Sequence, residues 1–207
     1  MKTAQTRALA LIALCGGFAA AAMAAQAVKG DPAKGKALAA EACASCHGPN
    51  GNSEVPAFPK LAGQQESYLL QELADYKSGA RANEIMTPLV AGLSEQDMAD
   101  LAAFFAKQDS SDGVVTNPAL LAMGKRVYLQ GNDKNGVPSC DGCHEENGEG
   151  SKRFPRVAGQ HTEYTLEQMK QYATGKRTNG KKVMRTVAER LTDEEAKAVA
   201  EYMASLK

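Results

Sequence analysis

The sequence predicts an all-α fold made of two tandem halves of similar structure. Three observations carry this reading: an internal repeat, helix start and stop signals at corresponding places in both halves, and no alternating β pattern. The repeat is clearest in Phe58-Pro59-Lys60-Leu61-Ala62-Gly63-Gln64, which matches Phe154-Pro155-Arg156-Val157-Ala158-Gly159-Gln160. Tyr68, Tyr76, Gly79, Arg81 and Asn83 match Tyr164, Tyr172, Gly175, Arg177 and Asn179. Leu93, Asp97 and Phe104 match Leu191, Glu195 and Tyr202. Self-similarity over this span marks a duplicated unit.

Each element follows from local chemistry. Residues 1–27 open with Lys2 and Arg7, continue through an apolar Ala8–Met23 run, and end in small-x-small triplets. They read as a secretory signal peptide with cleavage after Ala24 or Ala27. The rival reading, a retained anchor, is disfavoured because the run is Ala/Gly-rich and short for a span. Cys15 lies within the run and has Leu14, not a small residue, before it. It is expected to leave with the presequence. Residues 28–108 and 118–207 are the expected domains, joined by a polar linker, 109–117.

Asp31-Pro32 and Asn117-Pro118 each offer an N-cap followed by proline at the first helical position. Helices are expected over Glu66–Ser78 and Thr162–Thr174, stopped by Gly79 and Gly175. Ser94-x-x-Asp97 and Thr192-x-x-Glu195 resemble capping boxes. They should open last helices that run to about Lys107 and Leu206. The second half carries an extra loop, Gly131–Ser139. Halves of this size bury little core on their own, so an apolar group held inside each would supply missing volume.

The pentapeptides Cys43-Ala44-Ser45-Cys46-His47 and Cys140-Asp141-Gly142-Cys143-His144 point to that group. Cys-x-x-Cys-His is the attachment signal of a c-type haem. The thiols Cys43, Cys46, Cys140 and Cys143 are expected to bond the vinyl groups of two covalently bound haems, with His47 and His144 as proximal iron ligands. Redox disulfides or a four-thiolate zinc site would leave the two histidines without a role.

The distal ligand is sorted by the repeat. Met98, Met169 and Met203 align with Ala196, Leu73 and Phe105, whereas Met86 and Met184 are methionine in both halves. A thioether there would raise the potential, because soft sulfur favours Fe(II). Both lie on the segment between the middle and last helices, expected as a loop crossing the distal face. His161 is a rival ligand for the second haem, but an interdomain or surface role suits it better. The Pro59 and Pro155 carbonyls are expected to accept from the other ring N–H of the proximal histidines. Tyr68, Tyr164, Arg81 and Arg177 are expected at the haem propionates or on the interdomain face.

Charge is uneven. Val28–Asn117 holds 7 Lys/Arg and 12 Asp/Glu, a balance of −5, while Pro118–Lys207 holds 15 and 12, a balance of +3. Such a dipole can orient encounters with charged partners. No basic-and-aromatic pattern suggests nucleic acid.

Two attachment strings, the repeated Phe-Pro-(Lys/Arg)-x-Ala-Gly-Gln segment and one distal methionine per half resemble the di-haem cytochrome c4 family, over essentially the whole chain after residue 27. The resemblance implies two class I cytochrome c domains packed about a pseudo-twofold axis with propionates close together. It also implies a periplasmic electron carrier, often membrane-associated, that passes electrons between respiratory partners towards a terminal oxidase. Carried over, Cys43, Cys46, His47 and Met86 hold one haem, and Cys140, Cys143, His144 and Met184 the other. With both irons six-coordinate, no catalytic residue is expected. The alternatives are a haem subunit of a flavocytochrome c-type dehydrogenase, or a di-haem peroxidase or gas sensor, either of which needs an open iron position.

Overall fold

The computed structural model describes residues 28–180 and 182–207. The signal-peptide expectation for residues 1–27 lies outside them. The described residues form helices and turns, and their only β pairings are the isolated bridges Asn132–Val137 and Ser151–Phe154.

The first half runs α1 (Pro32–Ala42), α2 (Ala44–His47), α3 (Glu66–Ser78), α4 (Met86–Val90) and α5 (Glu95–Ala106). After a 3₁₀ turn at Pro118–Leu120, the second half repeats the order: α6 (Leu121–Gln130), α7 (Asp141–His144), α8 (Thr162–Ala173), α9 (Val183–Arg190) and α10 (Asp193–Ser205). In each half the first helix crosses the last, and the middle helix packs on the same last helix.

The first crossing is close because of glycine. A Cβ on Gly35 would stand 2.0 Å from the Asp100 carbonyl oxygen, and one on Gly124 would stand 2.0 Å from that of Ala198. Asp100 and Ala198 occupy equivalent positions in the repeat. Leu69, Leu101, Phe104 and Phe105 then fill one core, and Val127, Tyr128, Val199 and Met203 the other.

Most of the capping chemistry forms. Asp31 accepts from the Ala33 N–H at 2.9 Å, and both capping boxes close reciprocally. Asn117 differs: its side chain caps nothing, and the helix proper begins only at Leu121. The Glu201 carboxylate instead accepts from both the Thr116 N–H and its hydroxyl, which anchors the chain one residue earlier. The extra loop docks through Asn132 and Asn135, which donate to Glu195 at 2.5 and 3.0 Å.

The methionine segments are short helices, not loops. Asn83 Oδ1 accepts from the Ile85 and Met86 N–H groups at 2.9 and 2.8 Å, and this turn starts α4 at Met86.

The halves meet through exchanged bonds. Gln160 donates to the Lys60 carbonyl and accepts the Lys60 N–H, both at 3.0 Å. Gln64 does the same to Arg156, at 2.9 and 2.8 Å. The chain between the halves is strapped to the first: Lys60 Nζ donates to the Asp112 carbonyl at 2.6 Å, and Asn52 bonds both Asp109 and Ser111.

Candidate haem-binding sites

In the first half, α1 delivers Cys43 to its C-terminus, and the single turn of α2 carries Cys46 and His47. The Cys43 carbonyl accepts from the N–H groups of both Cys46 and His47, at 3.2 and 2.9 Å, which gathers the three side chains on one turn. The second half reproduces the turn: the Cys140 carbonyl accepts from Cys143 and His144 at 3.2 and 2.9 Å.

Both histidines are buried and oriented. His47 Nδ1 lies 2.9 Å from the Pro59 carbonyl, and His144 Nδ1 lies 2.9 Å from that of Pro155. A carbonyl can only accept, so Nδ1 carries the proton and Nε2 keeps its lone pair. Burial lowers both imidazoles below the ordinary histidine range, and the carbonyl bond only partly opposes it. Each ring is therefore a neutral donor-ready imidazole. Phe58 and Phe154 flank them, with ring centroids at 6.4 and 6.3 Å.

A cavity of about 610 Å³ opens beside His47 and is lined by Cys43, Cys46, Met86 and apolar Leu69 and Leu101. That volume is in the range of cofactor sites. Two thiols, an imidazole and a thioether around one apolar chamber fit a covalently held haem. In the second half His144 and Met184 share a smaller cavity of about 100 Å³, with Met169, Tyr172 and Met203 in its wall. There α9 is longer than α4, eight residues against five, and packs along α8. Cys140 and Cys143 lie outside that lining, and Cys140 packs against the second core.

All four thiols are free. Burial, with Cys46 nearby, pushes the Cys43 thiol up; burial, Asp141 and Cys143 push Cys140 up to about 12. Among the described residues no group of three or more His, Cys, Asp or Glu side chains gathers as a metal cage.

His161 lines neither cavity. Its Nε2 lies 2.9 Å from the Ser53 carbonyl across the domain boundary, so it is an interdomain residue. The other methionines serve packing: Met98 is buried in the first half, and Met123 packs against the second core.

Tyr68, Gln160, Tyr164 and Gln168 line both cavities, which thus meet at the interface. The cluster there is reciprocal. Arg81 donates to the Tyr164 hydroxyl at 3.1 Å and to Gln168 at 2.6 Å; Arg177 donates to the Tyr68 hydroxyl at 3.0 Å and to Glu72 at 2.7 Å. Each guanidinium also stacks on its own domain's tyrosine, Tyr76 or Tyr172, 4.6 Å from the ring centre. The symmetry breaks at Glu72, which the repeat replaces by Gln168. Burial alone would raise the Glu72 carboxyl, but Arg177 and Arg81 outweigh it and hold it below its ordinary value. Sequence reasoning missed the Gln64 and Gln160 exchange. Its one signal was the glutamine that closes the repeated heptapeptide in both halves.

Known proteins supply the comparison. The Cytochrome c family model matches residues 32–109 and again 121–207. Cytochrome c4 of Thiocapsa roseopersicina is 42% identical over 181 residues, covering 86% of this chain and 93% of that protein. The thiosulfate dehydrogenase electron acceptor of Stutzerimonas stutzeri (strain A1501) is 36% identical, covering 81% of this chain and 80% of its own. The crystal structure of reduced recombinant cytochrome c4 from Pseudomonas stutzeri superposes with a TM-score of 0.82 at 39% identity, over 86% of this chain and 100% of that one. With its duplicated domains, its paired pentapeptides and these relatives, the chain belongs to the cytochrome c family and, within it, to the cytochromes c4: di-haem electron-transfer proteins, not enzymes.

Proposed function

We propose that Cys43 and Cys46 bond one haem and Cys140 and Cys143 the other, with His47 and Met86, and His144 and Met184, as axial iron ligands. When bound, each haem supplies an iron that alternates between Fe(III) and Fe(II) and so carries one electron. The observation that carries this reading is the orientation of each proximal imidazole: Nδ1 is committed to a proline carbonyl, and the cavity beside each ring is lined by the methionine that the repeat keeps in both halves, Met86 in the first and Met184, alongside Met169 and Met203, in the second. Retained ligands on both faces mean little rearrangement between oxidation states. Residues 28–108 and 118–207 are the two haem-bearing units of this reading, with 109–117 between them. At their junction Arg81 and Arg177, each in the wall of one cavity, offer the positive charge that suits the propionates.

The chain is proposed to work in the periplasm after export on residues 1–27, taking electrons from a dehydrogenase or respiratory donor towards a terminal oxidase. The thiosulfate dehydrogenase electron acceptor among its relatives favours a dehydrogenase as donor, the same kind of role as the flavocytochrome alternative. Among the described residues no helix is long and apolar enough to cross a membrane.

Mass spectrometry of the exported chain should show two thioether-bonded haems. Met86→Ala and Met184→Ala should each remove about half of the weak far-red band that a Met-ligated ferric haem gives, and lower one of the two potentials, because the thioether favours Fe(II). A spectrum unchanged in either variant refutes that ligand.

A further inference from the structure

Each proximal histidine leans on a peptide bond that the other domain holds. The Pro59 carbonyl accepts from His47 Nδ1 at 2.9 Å, and the N–H of that same peptide, on Lys60, donates to Gln160 Oε1 at 3.0 Å. Gln160 Nε2 donates in turn to the Lys60 carbonyl at 3.0 Å. In the mirror arrangement, the Pro155 carbonyl accepts from His144 at 2.9 Å and the Arg156 N–H donates to Gln64 Oε1 at 2.8 Å. Gln64 Nε2 closes that pair on the Arg156 carbonyl at 2.9 Å.

Neither glutamine is free to turn away. Gln160 Oε1 also accepts the His161 N–H at 3.0 Å, and Gln64 Oε1 the Gln65 N–H at 2.9 Å. Rotating either amide would set oxygen against a carbonyl and N–H against N–H.

We propose that Gln64 and Gln160 are positioning residues that set how strongly the proximal imidazole of the opposite domain donates to its iron, so that each half tunes the other's reduction potential. The proposal rests on His47 and His144 being the proximal ligands. A peptide is one conjugated unit, so an acceptor on its N–H enriches its carbonyl oxygen and strengthens the bond that oxygen accepts. A stronger bond at Nδ1 makes the imidazole the better donor at Nε2. That favours Fe(III) and lowers the potential. Loss of Gln160 therefore raises the potential of the first-domain haem, which lies across the boundary from the substitution.

The test uses the haem-loaded full chain and residue-resolved NMR through a redox titration. In Gln160→Leu the His47 Nδ1–H resonance should move while that of His144 stays. At a fixed applied potential the oxidised-to-reduced ratio of the first-domain haem should fall by about two- to fivefold, the scale of cooperative strengthening along one hydrogen-bond chain. Gln64→Leu should give the mirror result and covers the case in which Gln160→Leu loads poorly. Ser67→Ala removes a 2.8 Å interdomain bond to the Lys152 carbonyl, made by two residues that line neither cavity and touch neither proline peptide, and should move neither haem.

Equal movement of both haems, movement only in the substituted domain, or an unmoved His47 resonance would overturn the proposal. If His47 in the loaded parent protein lacks the large shifts of an iron-bound ring, the ligand assignment falls first. If those shifts are present yet insensitive to Gln160, only the cross-domain tuning falls.

Discussion

At the scale of the residue, the absence of a side chain governs how near two helices come. Gly35 and Gly124 let the first helix of each half touch the backbone of the last, and the cores are built around those crossings. Gly35→Ala should cost about 1–3 kcal/mol, the usual penalty for overpacking. Chemical unfolding of the haem-loaded protein checks it, and Gly124→Ala should behave alike because the contacts match. The pentapeptides, the matched methionines and the proline carbonyls were legible because each is a short string seen twice. Glu72 was not. Its partners Arg177 and Asn179 lie more than 100 residues away, and the repeat offers only Gln168 in its place.

At the scale of the element, reciprocal capping decides where the last helices start. The Thr192 hydroxyl accepts from the Glu195 N–H at 3.2 Å, while the Glu195 carboxylate accepts from the Thr192 N–H at 2.9 Å. Ser94 and Asp97 form the same pair. Thr192→Ala and Ser94→Ala should each lower stability by about 1 kcal/mol, read as a shifted unfolding midpoint with unchanged slope. These starts could be read from sequence because all the partners lie within one turn. The short α4 and α9 could not, since five and eight residues hold too little period to separate a helix from a loop. Asn117 differs: the chain after it opens in a 3₁₀ turn with no side-chain cap, and the anchor there is Glu201, which lies 85 residues from the Thr116 it holds.

At the scale of the molecule, the two domains share a polar seam in which Glu72 and Asp75 of the first half take bonds from the second. Because Glu72 sits below its ordinary value of 4.5, its ion pairs contribute fully above that value, and the contribution is lost as pH falls through the depressed one. The parent protein should therefore lose stability on the acid side, and Glu72→Gln should flatten that limb in a series of unfolding curves across pH. Glu72→Ala should cost about 3–5 kcal/mol, since it leaves two buried guanidinium groups facing each other. The acidic first half and basic second half give the whole a dipole that a charged partner would feel at a distance. The repeat revealed that there were two halves, but how they mate depends on bonds that no local pattern encodes.

The exchange of glutamines has the form of a contact between a surface and its own copy, where residue i meets j and j meets i. Two separate chains with such a surface would pair or part according to their abundance. Joined by one continuous chain, whose connecting segment Lys60 and Asn52 fasten to the first half, the copies are held at a fixed effective molarity. Their mating therefore survives any dilution, and the two redox centres stay partners however scarce the protein becomes.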